Sequence, residues 1–123
     1  MAPPSLRAVR GAVQLDVDER EHLLAATREL VTAVLEANRL STDDLVNMVF
    51  TCTPDLTSEF PAVAARELGL GDVPLMCAVE VDVAGAMPRV VRLMALAQTP
   101  LERSEVQHVY LRGAVALRRD IAQ

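Results

Sequence analysis

Only one stretch of this chain can form a long helix, and that limits its architecture more than any other feature. From Asp18 to about Asn38 the apolar residues Leu23, Leu24, Leu30, Val31, Val34 and Leu35 recur at helical spacing. Elsewhere the apolar text comes in short runs cut by Pro, Gly, Asp and Ser. One long helix among several strand-like runs excludes a helical bundle and predicts an α+β (or α/β) domain with a mixed sheet. With 123 residues, the expectation is a single domain over 1–123.

The runs predict the order β-α-β-α-β-α-β-β. Residues 1–5 read as a disordered lead-in. LRAVRGAVQL (6–15) reads as a strand, with Leu6, Ala8, Arg10 and Ala12 on one face and Arg7, Val9, Gly11 and Val13 on the other. Asp18 followed by Glu21 resembles a capping box opening the long helix. Residues 41–44 form a turn or a short helical start, and LVNMVFTCT (45–53) a buried strand. The loop 53–61 leads to Pro61, which opens a short helix ending before Gly69. A strand over 73–82, a helix over 88–98 and two strands over 104–113 and 114–120 complete the reading.

The chain is 51% hydrophobic but only 2% aromatic. Its core must come from Val, Leu, Ala and Met, which contribute less area per residue than rings do. A modest core makes oligomerisation a reasonable expectation. The formal charge of −5 argues against a general nucleic-acid binder. One Tyr, two Phe and no Trp leave no stacking platform for single strands. Cys52 and Cys77 lie far apart and form no CxxC pair, so they read as reduced thiols of a cytoplasmic protein. Charged residues interrupt every apolar run short of a membrane span, and the N-terminus lacks a signal-peptide core.

The glycines match neither a Walker loop nor GxGxxG, and no serine nucleophile elbow appears. His22 and His108 have no ligand partners at metal spacing. An enzyme built from this chain would need no metal, redox cofactor or covalent intermediate. What remains is arginine set in apolar text: Arg10 in RAVRGAV, Arg92 in RVVRLMAL and Arg118 in AVALRRD, with Arg66 closing a short helix. Guanidinium forks match carboxylates bidentately, so the set suggests a pocket for a small anion with more than one carboxylate. The competing reading is internal ion pairs or stems laid along the surface. Glu80 either accepts a substrate hydroxyl, balances Arg92, or simply faces solvent. It has opposite strand parity to Cys77, so a shared pocket requires the strand to bulge or end between them. Tyr110 is a carboxylate donor or an amphipathic edge residue, and Phe60 a pocket wall or plain core.

Taken in order, RAVRGA (7–12), TPDL (53–56), FPA (60–62), AREL (65–68), VP (73–74), C-x-x-E-x-D-V (77–83), R-x-M (92–94), QT (98–99), HVYL (108–111) and LR (117–118) resemble the AroH-class chorismate mutases over nearly the whole chain. The resemblance implies a homotrimer that forms a pseudo-α/β barrel, with cofactor-free sites for chorismate in clefts between subunits. It implies that Arg10 holds a substrate carboxylate and that Arg92 donates to the ether oxygen and a carboxylate. Glu80 would hold the ring hydroxyl with Cys77 beside it, and Tyr110 would bind a carboxylate. Phe60, Ala62 and Arg66 would come from the adjacent subunit. Leu75 and Met76 would line the cleft, and Leu117 with Arg118 would belong to a mobile C-terminal closure over 118–123. Two positions depart from the pattern: Val63 stands where a lysine is expected, and Met76 replaces a smaller polar residue. The alternatives are a non-catalytic sensor of chorismate or another dicarboxylate, a trimeric imine-deaminase relative, and a purely structural oligomer.

Overall fold

The computed structural model describes residues 3–117. Five strands form one mixed sheet: β1 (Ser5–Gln14), β2 (Leu45–Cys52), β3 (Leu75–Val79), β4 (Val90–Thr99) and β5 (Val109–Leu111), in the spatial order β3-β2-β4-β1-β5. β4 runs antiparallel to both neighbours, whereas β3 and β5 lie parallel to β2 and β1 on the two edges. The helices α1 (Arg20–Ala37) and α2 (Ala62–Glu67) contribute to one core, which also takes the inward residues of the sheet. Val9 and Val13 of β1, Met48 and Phe50 of β2, and Val91, Leu93, Ala95 and Ala97 of β4 meet Leu23, Leu30, Val31 and Val34 there.

α1 approaches β1 closely because Gly11 has no side chain. A Cβ at that position would stand 3.1 Å from both Leu30 Cδ1 and Val34 Cγ2, and 3.3 Å from the Val109 carbonyl oxygen. The C-terminal end of α1 is tied down by Asn38. Its amide donates to the carbonyls of Val34 and Gln107, and its oxygen accepts from the Gln107 N–H, so the helix end is fastened to the approach to β5.

Several expectations are corrected. The segment expected as a helix over 88–98 is β4, the central strand. Leu, Met, Ala, Gln and Arg are good helix formers, but here every residue pairs with β1 along the whole strand and most also pair with β2. Burial alternates accordingly, with Val91, Leu93, Ala95, Ala97 and Thr99 inward. Tertiary pairing outweighs intrinsic preference. The strand expected over 73–82 shortens to β3, and that over 104–113 to β5 after a 3-10 turn at Arg103–Glu105. The strand expected over 114–120 is instead 3-10 helix, Arg112–Leu117, as far as it lies within the described residues. Arg112, at φ 56°, turns the chain away from the sheet edge. Ala114 and Leu117, three residues apart, then share the eclipsed face of a 3-10 helix and pack on Ala12, Val90 and Tyr110. Ser5, expected in the disordered lead-in, already pairs with Thr99 in β1.

The expected capping box also fails. α1 begins at Arg20 with Glu19 as its N-cap, and no side chain caps it. Asp18 instead accepts hydrogen bonds from the backbone N–H groups of Thr57 and Ser58 and from the Thr57 hydroxyl. It organises the loop 53–61 rather than the helix.

Candidate active site

The face of the sheet opposite the helices carries the polar side chains expected for the site. The β1–β4 register pairs Arg10 with Met94 and Ala12 with Arg92, so the two arginines are diagonal neighbours on one face. On β2, Thr51 lies opposite Arg92, and on β5, Tyr110 lies opposite Ala12. Four adjacent strands thereby bring Arg10, Arg92, Thr51 and Tyr110 to one cavity of about 360 Å³, walled by Val49 and Met94. The Arg10 guanidinium has no hydrogen-bond or ion-pair partner among the described residues; only its backbone N–H is taken, by His108 Nδ1 at 3.0 Å. The Tyr110 ring packs with Ala12, Val90 and Ala114 while the residue also lines the cavity.

Glu80 follows the last residue of β3. Its backbone N–H donates to the Cys52 carbonyl at 2.9 Å, so its main chain is fixed although the strand has ended. Its carboxylate lies 2.9 Å from Arg92 Nε and accepts from the Thr51 hydroxyl at 2.6 Å. Only 18% of the side chain is exposed, which removes the reading of a plain solvent-facing position. The ion pair is close but not aligned as a hydrogen bond: Arg92 Nε is buried and its N–H has no aligned acceptor among the described residues. Arg92 also lines a second cavity, of about 460 Å³, with Glu80, Thr53, Asp55 and residues 81–88. It stands where the two spaces meet. Arg10 and Arg92 against Glu80 leave one net positive charge at the centre, on a chain that is acidic as a whole.

Other expected residues lie elsewhere in this chain. Cys77 pairs with Phe50 and packs against the main core. With Cys52, Phe60, Pro61 and Val79 it lines a third cavity, of about 390 Å³. β3 does end between Cys77 and Glu80, yet the two line different cavities. Burial pushes the Cys52 thiol up to about 12. Leu75 packs on the core, and Met76 is 63% exposed. Phe60 is 66% exposed at the rim of the third cavity, Ala62 is buried in the core, and Arg66 is exposed on α2. Leu117 packs beside Tyr110, and Arg118 lies outside the described residues.

The rim carrying Phe60 is held by charge. The Asp18 carboxyl is kept below its ordinary range. The chief cause is the adjacent Ser58 hydroxyl, whose oxygen has no aligned hydrogen-bond partner among the described residues; the Thr57 amide and hydroxyl and the Ser58 amide follow. Glu59 is likewise lowered, first by the Phe60 amide and then by Arg20, whose Nε donates to it at 2.8 Å. The sequence reading missed Thr51. Its one available signal was a β-branched hydroxyl residue at the same strand parity as Val49, between the apolar Phe50 and Cys52.

Taken together, the fold and site define a small α+β protein that gathers on one sheet face a close Arg–Glu pair, a tyrosine and an arginine without a side-chain partner among the described residues, a donor set suited to an organic anion. The chain belongs to the chorismate mutase family: the model for chorismate mutase type I matches residues 6–121. It is 49% identical over 117 residues to the chorismate mutase AroH of Thermus thermophilus, covering 94% of this chain and 96% of that protein. Identity to the chorismate mutase AroH of Bacillus subtilis is 38% over 118 residues, covering 95% and 93%. The structure superposes on a chorismate mutase from Clostridium thermocellum with a TM-score of 0.88 at 36% identity, covering 89% of this chain and 98% of that one.

Proposed function

We propose that this chain, a chorismate mutase by family, converts chorismate to prephenate by holding one reactive conformer and stabilising charge on the breaking ether bond. The reaction is a unimolecular pericyclic (Claisen) rearrangement: the ether C–O bond breaks as a C–C bond forms, and no proton or leaving group departs. The protein therefore needs no nucleophile. It has to compact an extended dianion and meet the negative charge that grows on the ether oxygen.

The observation that carries this reading is Arg92 beside Glu80. Its position on a central strand, beside Glu80 and with 41% of its side chain exposed, leaves a fixed cation poised for an oxygen that becomes anionic only in the transition state. Arg10, whose guanidinium has no partner among the described residues, and Tyr110 hold the carboxylates, and Glu80 holds the ring hydroxyl. The assembly proposed is a homotrimer with sites between neighbours. Phe60, Ala62 and Arg66 then serve the adjacent subunit's cleft, Leu75, Met76 and Cys77 line the cleft, and Leu117 and Arg118 belong to its C-terminal closure. Two features support this: the exposed apolar residues Leu6, Met76 and Met94 on the sheet face that α1 and α2 leave open, and the separation of Phe60 and Arg66 from the arginine cavity within one chain. The free thiols fit a reducing cytoplasm.

The test is loss of chorismate ultraviolet absorbance with wild type and Arg92→Ala. Removal of an oxyanion donor costs on the order of 3–4 kcal/mol, about 10²–10³ in kcat. The variant is expected to lose that much while remaining a folded oligomer. Near-normal turnover by Arg92→Ala would overturn the role of Arg92; binding without turnover by wild type would favour a sensor.

A further inference from the structure

We propose that Thr51 is a positioning residue for this reaction, holding the Glu80 carboxylate in the orientation that serves both the substrate and Arg92. The proposal rests on the mechanism above. Thr51 sits in the middle of the sheet, with Ala78 of β3 opposite it on one side and Arg92 of β4 on the other. Its backbone cannot drift, and a β-branched side chain in a strand has a restricted χ1. The hydroxyl therefore occupies a defined point on the site face.

Glu80 needs such a point. It lies past the end of β3, with exposed residues on both sides, so no ladder fixes its side chain. Two consecutive residues of β2 secure it instead: Cys52 takes its backbone N–H, and Thr51 donates to its carboxylate. At 2.6 Å the contact has the short length of a hydroxyl bonded to an ionised carboxylate. The oxygen that Thr51 engages, Oε2, is also the one beside Arg92 Nε. Two consequences follow. Oε1 has no hydrogen-bond partner among the described residues and is the oxygen left for a substrate hydroxyl. The claim of Thr51 on Oε2 also keeps the carboxylate from swinging into a two-pronged fork with Arg92, which would occupy the donors required at the ether oxygen.

The experiment compares steady-state turnover of chorismate by wild type, Thr51→Val, Thr51→Ser and Glu80→Ala, together with the Thr51→Val/Glu80→Ala double variant. Val keeps the shape and strand preference while deleting the hydroxyl. It is expected to lose about ten- to a hundredfold in kcat/KM, as for a hydrogen bond to a charged group. Ser, which restores the donor, is expected to recover most of that loss. In the Glu80→Ala background, Thr51→Val is expected to change kcat/KM by less than about twofold, because the group it positions is gone. Thr51→Val within about twofold of wild type would overturn the proposal. So would Ser as poor as Val, or an undiminished Val effect without Glu80, since either result marks a role in strand packing alone. A wild type that does not turn over chorismate would overturn the parent mechanism and this role with it. That failure shows in the unmodified protein, so it is distinguishable from failure of Thr51.

Discussion

At the scale of single residues, the chemistry depends on which donors are already engaged. Among the described residues, Arg92 stands 2.9 Å from Glu80 without an aligned hydrogen bond, and the Arg10 guanidinium has no partner. Both guanidinium groups therefore face the cavity with donors to offer. Replacing Arg92 by Lys keeps the charge but exchanges a planar fork for a point donor on a flexible stem. We expect Arg92→Lys to retain much of the substrate affinity while losing about tenfold or more in kcat, since the loss falls on a contact made in the transition state. Steady-state kinetics that found kcat unchanged and KM raised would place Arg92 in ground-state binding instead. The arginines stand out in the sequence because they interrupt apolar text, and the parity of β1 places Arg10 among small neighbours, as the structure has it. Thr51 is not legible that way. A hydroxyl residue in a strand has many ordinary reasons to be there, and its partner Glu80 is 29 residues away on a neighbouring chain segment.

At the scale of elements, the instructive case is β4. Its residue types favour a helix, and nothing within the segment itself reports that β1 and β2 flank it. Strand order is set by long-range pairing, which local pattern does not carry. α1 is the opposite case, since a stripe of seven buried residues along one helix is periodic on its own. The loop 53–61 lies between these extremes. Its anchor, Asp18, looks in sequence like a helix cap, because a cap and a loop clamp use the same carboxylate chemistry. This anchor predicts a pH dependence. Asp18 titrates below its ordinary value when folded, so its contribution to stability is present above the ordinary carboxylate range and is lost as pH falls through the lowered value. Asp18→Asn should therefore unfold at lower urea concentration than wild type near neutral pH, and the two midpoints should converge in acid. A difference that persisted unchanged into acid would show that the carboxylate charge is not what holds the loop.

At the scale of the whole molecule, α1 and α2 cover one side of the sheet, and among the described residues the other side is covered only near β5, by the 3-10 helix Arg112–Leu117. Leu6, Met76 and Met94, at 55%, 63% and 45% exposure, lie on the other side with the candidate site. An apolar face of this kind marks an association surface, and a core nearly devoid of rings gives the isolated chain little else to rely on. Phe60 and Arg66, by contrast, sit on the loop and helix after β2, and neither lines the arginine cavity. If neighbouring chains complete each other's sites, the two sets of residues belong to different subunits and their defects should complement. Arg92→Ala and Arg66→Ala would each be impaired alone. Unfolded together in equal amounts and refolded, they should form mixed trimers in which about a quarter of the clefts carry both intact residues, since each cleft takes one contribution from each of two chains. Activity should then rise well above that of either variant refolded alone, and differential tags should show the active fraction to contain both chains. Mixed oligomers that form without any gain in activity would mean that Arg66 does not act across the interface. The cleft would then have to be completed within a single chain, by movement of the α2 side of the molecule toward Arg10 and Arg92.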